Sequence, residues 1–101
     1  MGWAAFHIEK LKQGETVQFR PRGHSMTGIV GNGQWVTVAP IAAEDDIQKG
    51  DVVLCKVNGA EYLHLIKAVR AGDYQIGNNR GGINGWTKRA NLFGKLVSVA
   101  D

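Results

Sequence analysis

Asn58-Gly59 lies between two runs rich in strand-forming residues, Asp51-Val52-Val53-Leu54-Cys55-Lys56-Val57 and Glu61 to Val69. A two-residue connection of this kind requires positive φ at both positions. Asn and Gly tolerate that best, and the turn they make matches the twist of paired strands. The pair predicts a hairpin and commits the middle of the chain to antiparallel sheet. Other short runs have the same character. Thr16-Val17-Gln18-Phe19-Arg20 alternates, with Pro21 confining it to an edge or an end. Gln34-Trp35-Val36-Thr37-Val38-Ala39 is β-branched and aromatic and is closed by Pro40, and Tyr74-Gln75-Ile76 and Leu92 to Val99 follow. Six or so strands joined by glycine-rich turns predict a mainly β fold, a coiled antiparallel sheet or barrel. Ahead of it, residues 3–12 predict a short helix. Ala4, Ile8 and Leu11 share one face, and Gly14 stops it.

The length of 101 residues fits one domain, since domains commonly run to roughly 100–150 residues. The expected layout is a single unit over 1–101, with the helix at 3–12 and the β part at 16–99. A hydrophobic content of 44% against 21% charged excludes general disorder. No apolar run approaches the roughly 18–20 residues of a membrane span. Residues 1–10 lack a basic start followed by an apolar stretch, so they do not resemble a secretion signal. The expectation is a soluble, cytoplasmic protein without a membrane partner. The single cysteine, Cys55, fits a buried strand position. The net charge of +3 is concentrated late, where Lys67, Arg70, Arg80, Lys88, Arg89 and Lys95 face only Asp73. Such an excess fits a solvated face or a patch for phosphates or an acidic protein.

Chemistry concentrates in two places. Gly23-His24-Ser25-Met26 presents a hydroxyl in a glycine-flanked turn, and Glu61-Tyr62-Leu63-His64-Leu65-Ile66-Lys67 presents two proton acceptors on a strand. Serine is a poor nucleophile at neutral pH unless a base removes its proton during attack. Side chains alternate along a strand, so Tyr62, His64 and Ile66 point one way and Leu63, Leu65 and Lys67 the other. Without a bulge, only one of His64 and Lys67 can face Ser25. A histidine is ready near neutral pH, whereas a lysine, normally near pKa 10.4, must first be strongly depressed by burial. His64 is therefore the expected base and Lys67 the alternative. His24, adjacent to the serine, is expected to point away. Met26, Ile29, Trp35 and Tyr62 are candidate walls of an apolar groove in which a substrate strand adds to the sheet edge. The Ser25 N–H is the natural oxyanion donor. Gly77-Asn78-Asn79-Arg80-Gly81-Gly82 lacks the Gly-Lys-Ser/Thr ending of a phosphate loop and is expected to be a turn. Glu44-Asp45-Asp46 has no second acidic cluster, so no metal and no organic cofactor is expected.

In these blocks the chain resembles the superfamily of serine peptidases that holds signal peptidases and LexA-type repressors. The resemblance runs through Gly23 to Met26, Gly33 to Val38, Lys49 to Leu54, Leu63 to Lys67, Gly77 to Arg80 and Phe93 to Val97, in family order, over roughly residues 17 to 99. It implies a coiled, mostly antiparallel β domain with Ser25 as nucleophile. The histidine-base branch of the family matches His64-Leu65-Ile66-Lys67, which implies His64 as base, 39 residues after Ser25. That branch carries aspartates where this chain has Asn78 and Asn84, and Asn78 inherits the orienting role. An asparagine orients an imidazole by hydrogen bonding without stabilising its charge.

The expected function is a small serine endopeptidase that hydrolyses a peptide or protein substrate through a Ser–His or Ser–Lys dyad. Ser25, Met26 and Tyr62 are expected at the substrate. The alternative is a catalytically inactive peptidase-like module that binds nucleic acid or a protein. A homodimer is a further expected association.

Overall fold

A computed structural model describes residues 2–101. Helix α1 (Ala5–Lys12) precedes strands β1 (Val17–Phe19), β2 (Trp35–Pro40), β3 (Val52–Val57), β4 (Ala60–Arg70), β5 (Asp73–Gly77), β6 (Ile83–Lys88) and β7 (Leu92–Ala100). A single turn of 3-10 helix, Arg89–Asn91, leads into β7. The strands form one antiparallel sheet in the order β1-β2-β7-β3-β4-β5-β6. That order leaves β1 and β6 as edges, so the sheet is not a closed barrel. Strand β6 is absent from the sequence-based expectation; the other elements lie within two residues of it.

The β3–β4 hairpin turns on Asn58 at φ 50° and Gly59 at φ 83°, as its dipeptide requires. Strand β3 is the centre of the molecule because its alternate residues feed two cores. Val52 and Leu54 join one cluster with Ile8 and Leu11 of α1, Met26, Val36 and Val38. Val53, Cys55 and Val57 join the other, with Ile47, Ile66, Tyr74 and Ile76. Burial on both faces makes this strand a nearly continuous apolar run rather than an alternating one. Ala4, Ile8 and Leu11 of the helical stripe are buried as expected, while Trp3 and Phe6 remain exposed.

Two features place the site. First, β4 to β6 curl until β6 returns to β3. Thr87 Oγ1 donates to the Lys56 carbonyl at 2.8 Å, and Gly85, at φ 137°, lies against Val57 so closely that a Cβ would sit 3.2 Å from its Cγ1. Second, two of the four register shifts in the sheet lie beside the site, in the β4–β5 and β5–β6 ladders. Ile66 pairs with Ile76 and Ala68 with Gln75, leaving Lys67 bulged. Ile76 pairs with Gly85 and Gly77 with Ile83, leaving Asn84 bulged. A bulge bends its strand and re-aims the residue it carries.

Candidate active site

Beyond β1 the chain leaves the sheet through Arg20–Gly23 and enters a turn. Thr27 N–H and Thr27 Oγ–H both donate to the His24 carbonyl, and Val30 N–H donates to Met26 at 2.8 Å. Gly23 at φ 108° and Gly28 at φ 100° supply the positive φ values that bracket the serine. Their freedom from a Cβ lets the chain reverse here without strain. Ser25 is thereby half-buried, with Met26 anchored in the first core. A second element clamps this turn. Asn79 N–H donates to the Ser25 carbonyl at 2.9 Å, and Asn79 Nδ2 donates to the Thr27 carbonyl at 2.8 Å.

The Ser25 hydroxyl meets His64 Nε2 at 3.2 Å. On the other side of the ring, His64 Nδ1 lies 2.7 Å from Asn84 Oδ1. An amide oxygen only accepts, so this contact places the ring proton on Nδ1. Nε2 then presents its lone pair to the Ser25 hydroxyl, as a general base must. Tyr62 stacks on the imidazole with ring centres 5.0 Å apart. His64 is buried, and burial lowers its pKa below the usual 6.5, with the Asn84 contact pulling in the opposite direction. Desolvation disfavours the charged ring, so the imidazole is neutral at neutral pH.

The sequence-derived assignments separate at this point. Ser25 and His64 come together as expected. Lys67 does not join them: its ammonium donates to the Asn78 carbonyl at 3.3 Å, a position set by its bulge. Asn78 does not orient the histidine. Its Oδ1 accepts from the backbone N–H groups of Arg80 and Gly82, both at 2.8 Å, and is used up in closing the turn. The orienting contact belongs to Asn84, which reaches His64 because the curl and its own bulge carry it past β5. Asn79 has a role that the sequence did not signal, because nothing in Asn78-Asn79 distinguishes the turn-closing residue from the clamping one.

A groove of about 450 Å³ opens at the dyad. One wall is formed by Arg20 to Gly23, Ser25 and Met26, the other by Glu61 to His64, with Trp3 at one end. Met26 and Tyr62 line it as expected. Ile29 and Trp35 do not: Ile29 lies at the surface, and Trp35 is half-exposed beneath Arg20, whose guanidinium is 5.4 Å from the ring centre. Pairing between β4 and β5 begins only at Leu65, so from Ala60 to His64 strand β4 pairs with β3 alone. Antiparallel residues alternate in the direction of their N–H and C=O groups. Counted from the tight turn, Glu61 and Leu63 face away from β3, and the Glu61 carbonyl duly accepts from Trp3 Nε1 at 3.2 Å. The Glu61 carboxylate is committed as well, accepting from Ala4 N–H at 2.7 Å at the start of α1.

The Gly23 N–H is engaged by Asn32 Oδ1 at 2.9 Å. The Ser25 N–H makes no hydrogen bond within the protein among the described residues. Cys55 takes no part: it is fully buried on β3, and desolvation pushes its thiol up to about 12. Among the described residues no helix is long and apolar enough to cross a membrane. No protein-family model matches this chain, and no curated protein is similar to it in sequence.

Proposed function

We propose that the protein is a serine endopeptidase in which Ser25 is the nucleophile, His64 the general base and acid, and Asn84 the group that orients the imidazole. The observation that carries this reading is the relay from Ser25 Oγ through both ring nitrogens of His64 to Asn84, at 3.2 and 2.7 Å, opening on a groove. A hydroxyl within hydrogen-bonding reach of a neutral, oriented imidazole is the arrangement that acyl transfer needs. The coiled β-domain architecture of the signal peptidase and LexA-like superfamily is part of the same proposal. It rests on the ordered sequence blocks and is compatible with the curled sheet.

In the proposed reaction a substrate strand lies against the free part of β4, main chain to main chain. Ser25 Oγ attacks the peptide carbonyl as His64 Nε2 takes the hydroxyl proton, and the Ser25 N–H faces the developing oxyanion. His64 then donates that proton to the departing amine, leaving an ester on Ser25. A water molecule, deprotonated by the same nitrogen, hydrolyses the ester and restores the serine. Asn84 keeps the ring aligned but leaves the transient imidazolium without a counter-charge.

The competing reading, a scaffold that binds nucleic acid through its late basic residues, has no comparable support. Lys88 pairs with Asp73 and Lys95 with Asp51. Arg89 donates to the carbonyls of Ala42 and Asp45, Arg70 lies over Trp86, and Lys67 is bonded to Asn78. These cations are dispersed among local partners. The test is a fluorophosphonate probe, read by intact mass and peptide mapping. It should modify Ser25, lose all reaction in Ser25→Ala and lose most of it in His64→Ala. Unmodified protein across pH 6–10 would refute the proposal.

A further inference from the structure

Arg20 and Arg22 stand five and three positions before Ser25 and line the groove at the dyad. They also line a second hollow of about 400 Å³, which adjoins the first at these two side chains and is completed by Asn32 and Gly33. Neither arginine takes part in either ion pair found among the described residues. Arg20 is held in place: its Nε donates to the Gly33 carbonyl at 2.9 Å, and its guanidinium lies over Trp35. Its terminal nitrogens remain uncommitted. Asn32 Oδ1 is turned toward the Gly23 N–H, which leaves its amide NH₂ as a further donor. The Glu61 carboxylate lines the opposite wall of the groove and accepts from the Ala4 N–H, and Asp101 accepts from Gln34 Nε2 at 2.8 Å; neither lines the second hollow. The groove therefore adjoins a hollow that has no carboxylate in its lining, whose charge is positive and whose free side-chain polar groups are donors.

We infer that Arg20 and Arg22 form an anion-accepting extension of the substrate groove, so that the protein selects peptides with an acidic side chain about three to five residues from the cleaved bond. The inference rests on the proposal that the groove at Ser25 and His64 holds substrate. The spacing follows because a peptide extended along Arg20–Gly23 advances at about 3.3 Å per residue, in step with that wall. A guanidinium is suited to the ligand, since its planar donors match a carboxylate. An arginine fixed on an aromatic ring also loses little freedom on binding.

The test uses binding, so that it does not depend on turnover. Fluorescein-labelled decapeptides of alanine and valine, identical except for two glutamates in one and two glutamines in the other, are titrated against the Ser25→Ala protein by fluorescence anisotropy. The glutamate peptide should bind about five- to tenfold tighter in 50 mM salt, the range expected for partly exposed charge pairs. The difference should shrink at 500 mM salt. It should fall in Arg22→Gln and vanish in Arg20→Gln/Arg22→Gln. Arg22 is exposed and its side chain makes no hydrogen bond or ion pair among the described residues, so its single variant separates charge from folding. Equal binding of the two peptides, no binding of either, a preference that survives Arg22→Gln, or tighter binding of a single-stranded oligodeoxynucleotide would each overturn the inference. The fluorophosphonate result on the unaltered chain stands apart. A glutamate preference without Ser25 labelling would uphold the subsite and refute the peptidase.

Discussion

At His64 the difference between an asparagine and an aspartate partner lies in charge rather than position. Asn84 fixes the tautomer at 2.7 Å, but it cannot offset the positive ring formed as the serine gives up its proton. In Asn84→Asp a carboxylate beside the ring favours its charged form. The acid limb of kcat/KM should then move to higher pH, and the plateau should rise by about tenfold. In the unaltered protein, burial holds the His64 pKa below 6.5, so the limb should fall below that value. The same shift acts on stability. The unfolded chain takes up the proton first, so folding free energy is lost as pH falls from about 6.5 toward the depressed pKa. A pH–rate profile and acid titration of the melting temperature would measure both. A second residue, remote from the chemistry, is also informative. Ala71 sits at φ 49° ahead of Gly72 at φ 84° in the β4–β5 turn, where alanine is strained and asparagine is at home. Ala71→Asn should stabilise the fold by about 0.5–1 kcal/mol, readable as a rise of several degrees in Tm.

Among the elements, β6 accounts both for the site and for what the sequence concealed. The Asn58-Gly59 hairpin, the alternation on β4 and the helix stripe were legible because each depends on near neighbours. The Ser25–His64 meeting was legible too, through ordered blocks and the facing rule for a strand. Strand β6 was not. Gly81-Gly82 precede it, Asn84-Gly85 interrupt it, and Ile83 and Trp86 are exposed, so no clean alternation announces it. Its contribution depends on a bulge and on a return to β3, neither of which leaves a local signature. The same long-range dependence explains why Asn78 rather than Asn84 was assigned the orienting role. Gly85 tests this account. At φ 137° and with a Cβ destined for 3.2 Å from Val57, Gly85→Ala should cost about 1–3 kcal/mol. It should also displace the adjoining Asn84, so kcat/KM should fall further than the loss of folded protein explains. Denaturant melts beside turnover of the same preparation would separate the two effects. Activity that tracks the folded fraction would contradict the account.

For the whole molecule, two cores share β3, while the proposed catalytic groups come from a turn after β1 and from β4 and β6. Ser25 is anchored with the first core through Met26, and His64 rides on β4 between the cores. Asn84 arrives on an edge strand that pairs with β5 alone. Edge elements with few buried contacts open at lower free energy than central ones. On heating, β6 should therefore detach while β3 is still enclosed. Cys55 lies fully buried on β3, with its thiol pushed up to about 12, so alkylation by iodoacetamide at pH 8 should report opening of the centre. Peptide cleavage should disappear several degrees below the temperature at which Cys55 begins to react. Coincident loss of both would contradict this order.

The contact between Thr87 Oγ1 and the Lys56 carbonyl acts as a catch on the strand bearing Asn84. Replacing that hydroxyl by a methyl, Thr87→Val, would leave an edge strand of almost unchanged shape with its fastening removed. The resulting protein would be expected to stay assembled when cool yet tire early as it warms, its working range narrowed from the hot end alone.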